Sequence, residues 1–139
     1  MSRWRRKALE LFPERAPDIR RVENVTLLLV DLNAELRHAY AKVPPDRNLI
    51  DRVFAFAMWC FKPMQNPYLR NAVAVAFFEH VPYNGAEARR DLVEHLTQRE
   101  LAELEPLFKQ MLEVPVYDAL HIEIDRAQSR PVGRRASAT

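Results

Sequence analysis

Glycine is nearly missing from this chain: Gly85 and Gly133 are the only two in 139 residues. A loop that cradles phosphate, or a dinucleotide fingerprint, needs several glycines close together, so both are excluded. There is also no G-x-S-x-G turn to present a nucleophilic serine. Cysteine is as scarce. Cys60 stands alone, so no internal disulfide can form, which fits a reducing cytoplasm. Long apolar runs are missing too. The longest spans residues 53–61, whereas a bilayer-spanning helix needs about 20 residues, so no membrane insertion is expected. The start "MSRWRRKALELF" is basic, but its apolar part is broken by Glu10 and Pro13, and export is not expected.

What is present has an ordinary globular balance, 48% hydrophobic and 29% charged. A chain of this length can bury a core without metal or disulfides. The net charge of +2 is unevenly spread. Residues 1–21 carry seven basic and three acidic side chains, residues 22–113 ten and thirteen, and residues 114–139 four and three. The ends are basic and the middle mildly acidic.

Ten prolines divide the chain. A first helix is expected over residues 2–12. A second is expected over 17–41, where Ile19, Val22, Val25, Leu29, Leu32, Leu36 and Ala39 recur at helical spacing. Asp46 is a plausible cap for a third helix ending at Phe61. Asn66 followed by Pro67 opens a fourth, which runs to about residue 82. A fifth covers 86–96. "TQRE" at 97–100 reads as a capping box for a sixth, to about 113, with Pro106 inside it. Beyond Pro115 the periodicity weakens, and "VYDALHIEID" suits a short strand or a last helical turn. Residues 126–139 read as a basic, disordered tail. The expectation is an all-α fold: one domain over residues 1–125, an antiparallel bundle of five to six helices. Alternating helix directions would bring Tyr40, Tyr83, Asn84 and Tyr117 to one end of it.

Several residues invite a chemical role. Asp31, Glu35 and His38 lie on one helical face, and Glu35 with His38 forms the E-x-x-H pair used in di-iron bundles. Such bundles need two pairs and two further carboxylates. Here the pair occurs once, and the face reads more simply as solvated. His80, His95 and His121 make no helical ligand pair, and "HIE" at 121–123 lacks the two cysteines a zinc deaminase requires. No cofactor is expected. Cys60 sits between Trp59 and Phe61 and reads as buried and inert. Glu79 falls in a last helical turn, where a negative charge opposes the helix dipole. It is expected to be exposed, or to meet Arg47 or Arg52 of the preceding helix. "RWRRK" at 3–7 could meet nucleic acid or an anionic surface, but one short basic segment is ordinarily just solvated.

Three segments, "ALELFPERAPDI", "LIDRVFAFAMWCF" and "NAVAVAFFEHV", resemble in order and spacing a group of small uncharacterised bacterial all-helical proteins. In that group a tryptophan–cysteine pair ends one helix, and an asparagine-valine-phenylalanine-glutamate-histidine pattern fills the next. The resemblance covers residues 8–113 and rests mostly on packing residues. It carries no activity with it. Some similar proteins look like immunity proteins, partners of bacterial toxins, so it implies a toxin-neutralising protein binder. The expected function is therefore non-enzymatic binding of another protein, with Tyr40, Glu79, His80, Tyr83, Asn84 and Tyr117 as contacts. A metal-binding bundle using Asp31, Glu35 and His38, and a nucleic-acid-associated protein using the basic ends, are the alternatives.

Overall fold

The computed structural model describes residues 1–129. Among them there is no strand, and eight α-helices form where five or six were expected: α1 Arg3–Leu11, α2 Ala16–Arg21, α3 Val25–Ala41, α4 Arg47–Phe61, α5 Pro67–Val73, α6 Ala86–His95, α7 Gln98–Met111 and α8 Val114–Gln128. The chain divides into two compact units. The first is Met1–Phe78 and the second begins at Glu79.

In the first unit, α3 packs on α4, α4 on α5, and α1 on both α2 and α4. The broad apolar face of α4 buries Leu49, Ile50, Val53, Phe54, Phe56, Ala57, Cys60 and Phe61. Its rings meet others edge to face. Phe12 lies 6.4 Å from Phe56, Phe54 5.9 Å from Phe77, and Phe61 5.4 Å from Phe78. Edge-to-face pairs of this kind add roughly 0.5–1.5 kcal/mol each beyond the area they bury. The helix begins where Asp46 accepts a hydrogen bond from Leu49 N. At its end, the Arg70 guanidinium lies 4.4 Å from the Phe61 ring centroid, and its Nε donates to Phe61 O. One side chain of α5 thus satisfies a terminal carbonyl of α4.

The continuous helix expected over 17–41 is broken. α2 ends at Arg21, Val22 turns extended, and Asn24 starts α3 by accepting from Leu27 N at 2.9 Å. The interruption has a tertiary cause. Arg5, on α1, donates through Nη1 to Ile19 O and Val22 O and lies over the Trp4 ring. Carbonyls freed at the break find a charged donor from another helix. The stretch after Asn66 also departs from a plain helix. α5 passes into a π-helical turn, Ala74–Phe78, which buries Ala74, Ala76, Phe77 and Phe78. The unit boundary follows it directly, inside what read as one element.

The second unit opens with a turn at Glu79 and His80 and a 3-10 turn, Val81–Asn84. Gly85 follows with φ at +102°, a conformation that penalises any side chain. α6 then packs on α8 and on the 3-10 turn, and Arg89 Nη1 donates to Pro82 O at 3.0 Å. The capping box is present: Thr97 N donates to Glu100 Oε1 at 2.9 Å and Glu100 N to Thr97 Oγ1 at 3.1 Å. α7 runs through Pro106, which is exposed, as is Ala102, whose carbonyl loses its donor there. The segment expected as a strand or a short turn is α8, fifteen residues long with Pro115 in its first turn. Residues 126–128, assigned to the tail, are its last helical residues. The rest of that tail, from residue 130, lies outside the described residues.

Candidate functional site

Both tryptophans of the chain line a single groove of about 480 Å³ in the first unit. Ser2, Arg3 and Trp4 of α1 and its cap form one wall. Trp59 from the last turn of α4, and Met64, Asn66 and Tyr68 beyond it, form the other. The side chains at its mouth are large and wet: Met64 is 73% exposed and Tyr68 67%. The loop between α4 and α5 is tied down locally. Gln65 is only 8% exposed, and its Nε2 donates to Trp59 O at 3.0 Å, while its backbone N donates to Lys62 O. Asn66 caps α5 by accepting from Leu69 N at 2.8 Å, which sets the start of the helix that presents Tyr68. The Arg3 guanidinium lies 6.0 Å from the Trp59 ring centroid, and that ring also stacks against Phe56 at 6.3 Å.

This groove was not among the expected contacts. The "KPMQN" segment read only as a helix-breaking loop, and "RWRRK" only as a basic run. The usable signal was that Trp4 and Trp59 are the only tryptophans, and that Met64 and Tyr68 lie outside the apolar stripes.

The alternative metal face, Asp31, Glu35 and His38, lies along α3. Glu35 is held by Arg15 in a two-point fork, Nη1 to Oε1 at 3.1 Å and Nη2 to Oε2 at 2.8 Å. Asp31 and His38 are exposed. Among the described residues no group of three or more His, Cys, Asp or Glu is placed to hold a metal ion. A guanidinium fork satisfies both carboxylate oxygens and brings a positive charge where a cation would sit.

The basic N-terminal run is largely committed within the fold. Arg5 caps the end of α2, Lys7 lies 3.7 Å from Glu10, Arg15 holds Glu35 and Arg21 pairs with Asp18 at 3.0 Å.

The tyrosines expected together fall in different units: Tyr40 on α3 of the first, Tyr83, Asn84 and Tyr117 in the second. Tyr83 is 47% exposed, and its hydroxyl accepts from Glu113 N at 3.0 Å, tying the 3-10 turn to the start of α8. Tyr117 donates to Glu105 Oε1, and His121 Nε2 lies 3.2 Å from Glu105 Oε2. That hydrogen bond to a carboxylate raises the Tyr117 pKa above the ordinary tyrosine value, because the ionised phenol would lose it and face a like charge. Tyr117 thus fastens α8 to α7, and Tyr83 fastens the 3-10 turn to the start of α8.

Glu79 is not exposed, as expected from its place in the chain, but buried at 9% exposure. Arg52 does not reach it; its guanidinium bonds Glu14 and Leu11 O. Among the described residues Glu79 Oε2, which is buried, has no hydrogen-bond partner. His80 next to it is exposed, so the two do not form one surface feature. Cys60 is fully buried, and burial pushes its thiol up to about 12. No helix among the described residues is long and apolar enough to cross a membrane.

No protein-family model, curated protein or solved structure matches this chain.

Proposed function

We propose that this chain is a non-enzymatic protein-binding domain of immunity-protein type, working in the bacterial cytoplasm by covering a toxin. The observation that carries the binding is the groove: two tryptophans, a tyrosine, a methionine and an arginine converge on one open depression. Tryptophan, tyrosine and arginine dominate binding hot spots, because large rigid rings bury much area at little entropic cost. Methionine adapts its shape to a partner. A solvent-facing cluster of this kind costs the free protein exposed apolar surface, which a partner would cover. The immunity role rests on the resemblance of residues 8–113 to a group of small bacterial all-helical proteins, since some similar proteins look like immunity proteins.

A photo-reactive phenylalanine analogue placed at Tyr68 in the full chain tests the reading. The captured protein is identified and expressed in bacteria with and without the chain. The expected result is growth arrest by that protein, relieved by the chain and not by Met64→Asp. Capture that Met64→Asp leaves unchanged, or a captured protein whose effect the chain does not relieve, refutes it.

A further inference from the structure

The groove's electrostatics restrict what can enter it. Among its lining residues Arg3 is the only charged one, and none is acidic. The first turn of α1 contains no acidic residue, and the nearest acid along that helix, Glu10, lies beside Lys7. Arg3 is exposed and bonds no carboxylate among the described residues. Arg5 lies 4.5 Å from the Trp4 ring centroid, and Arg6 follows on the same helix. Lys62, exposed, begins the opposite loop. A lining whose one charged side chain is an arginine favours anionic ligands over cationic ones.

The ring faces narrow the choice between an acidic peptide and a nucleic acid. Single-stranded nucleic acid binds by stacking bases on free aromatic faces. Here Trp59 already lies against Phe56 and under Arg3, and Trp4 under Arg5. What stays open is the exposed Met64 thioether and the Tyr68 ring, which suit an aliphatic or phenyl side chain. Gln65 adds a polar feature of the right kind. Its amide is buried and oriented by the Nε2 bond to Trp59 O, which leaves Oε1 as an acceptor for a peptide N–H.

We infer that the groove takes an acidic peptide segment of its partner, in which a large apolar residue is flanked by Asp or Glu. The apolar side chain sits against Met64, Tyr68 and the tryptophan edges, and a flanking carboxylate faces Arg3. This rests on the protein-binding reading and specifies its chemistry.

Because Trp4 and Trp59 are the only tryptophans and both line the groove, intrinsic fluorescence reports occupancy directly. The probes are blocked hexapeptides without tryptophan, titrated into the full chain at low salt: Asp-Glu-Leu-Phe-Glu-Asp, its Lys/Arg counterpart, its Ala-Ala counterpart, and octathymidylate. The expected result is a saturable change with the first probe, at least about tenfold tighter than with the others. Arg3→Glu, at an exposed position, weakens it by about tenfold, and Arg3→Lys retains most of it. Circular dichroism confirms that each variant is folded. Equal binding of the lysine-rich or alanine peptide overturns the acidic inference and leaves the protein-binding reading standing. A response to octathymidylate alone overturns both. Silence with every probe overturns the inference, and the Tyr68 cross-link then decides the reading.

Discussion

Arg5→Ala attacks the junction that splits the helical stripe of residues 17–41 in two. The wild-type guanidinium donates from Nη1 to Ile19 O and to Val22 O, the latter at 2.9 Å, and stacks 4.5 Å from the Trp4 centroid. A hydrogen bond to a charged group contributes roughly 1.5–3 kcal/mol. Both acceptors lie at a helix end, where water can partly replace the donor, so the lower part of that range applies. The cation–π contact adds about 0.5–1 kcal/mol at a partly exposed site. The sum for Arg5→Ala is a loss of about 2–3 kcal/mol in the first unit. Tryptophan fluorescence follows that unit selectively, since both tryptophans belong to it. A unit of this size has an unfolding entropy that converts each kcal/mol to about 4–8 °C, so the fluorescence-detected Tm should fall by about 10–20 °C. Arg5→Lys keeps a donor with several protons but loses the flat stacking surface, and should recover more than half of the loss. An Arg5→Ala variant within about 0.5 kcal/mol of wild type would refute the reasoning, because α2 would then end without help from α1.

Three further outcomes follow from side chains whose surroundings are unusual. Cys60 should stay unreactive toward a thiol reagent in the native protein at pH 8 and react fully once unfolded, since burial holds its pKa near 12; rapid native labelling would contradict this. Tyr117 should titrate above the ordinary tyrosine value in an alkaline absorbance titration, and Glu105→Gln should move it down toward that value. Its folded pKa is raised, so the stability it contributes is complete below the unfolded value of about 10 and is lost as pH rises through the folded value. Glu79→Gln should leave stability unchanged or raise it by about 1 kcal/mol, because Oε2 is buried without a partner among the described residues; a clear loss in urea denaturation would show that the carboxylate is needed.

Local signals marked the starts of α4, α5 and α7. Asp46, Asn66 and Thr97 each cap the helix their spacing predicted, and the Thr97–Glu100 box forms as written. Periodicity placed Cys60 and the α4 phenylalanines in the core before any contact was visible. These features depend on residues within one or two turns of each other. The misreadings share the opposite property. The apolar stripe from Ile19 to Ala39 continues across the break, and only Arg5, fourteen residues upstream of Ile19, shows why the chain can end one helix there and begin another. Glu79 is buried, although helix position alone argued for exposure. Nothing near Glu35 in the sequence shows its fork with Arg15, twenty residues earlier.

The candidate groove lies at the far end of the same scale. Trp4, Trp59, Met64 and Tyr68 come from three helices and a loop, at no spacing that a pattern can detect. The sequence by itself determined that the chain is helical, where most helices begin, and that it holds no glycine-rich nucleotide loop and no internal disulfide. Only the tertiary structure decided which aromatic and charged side chains share a surface, because that depends on helix packing across long separations. Caps and periodicity act through bonds between neighbours, whereas a docking surface is made by residues that meet only after the core has closed.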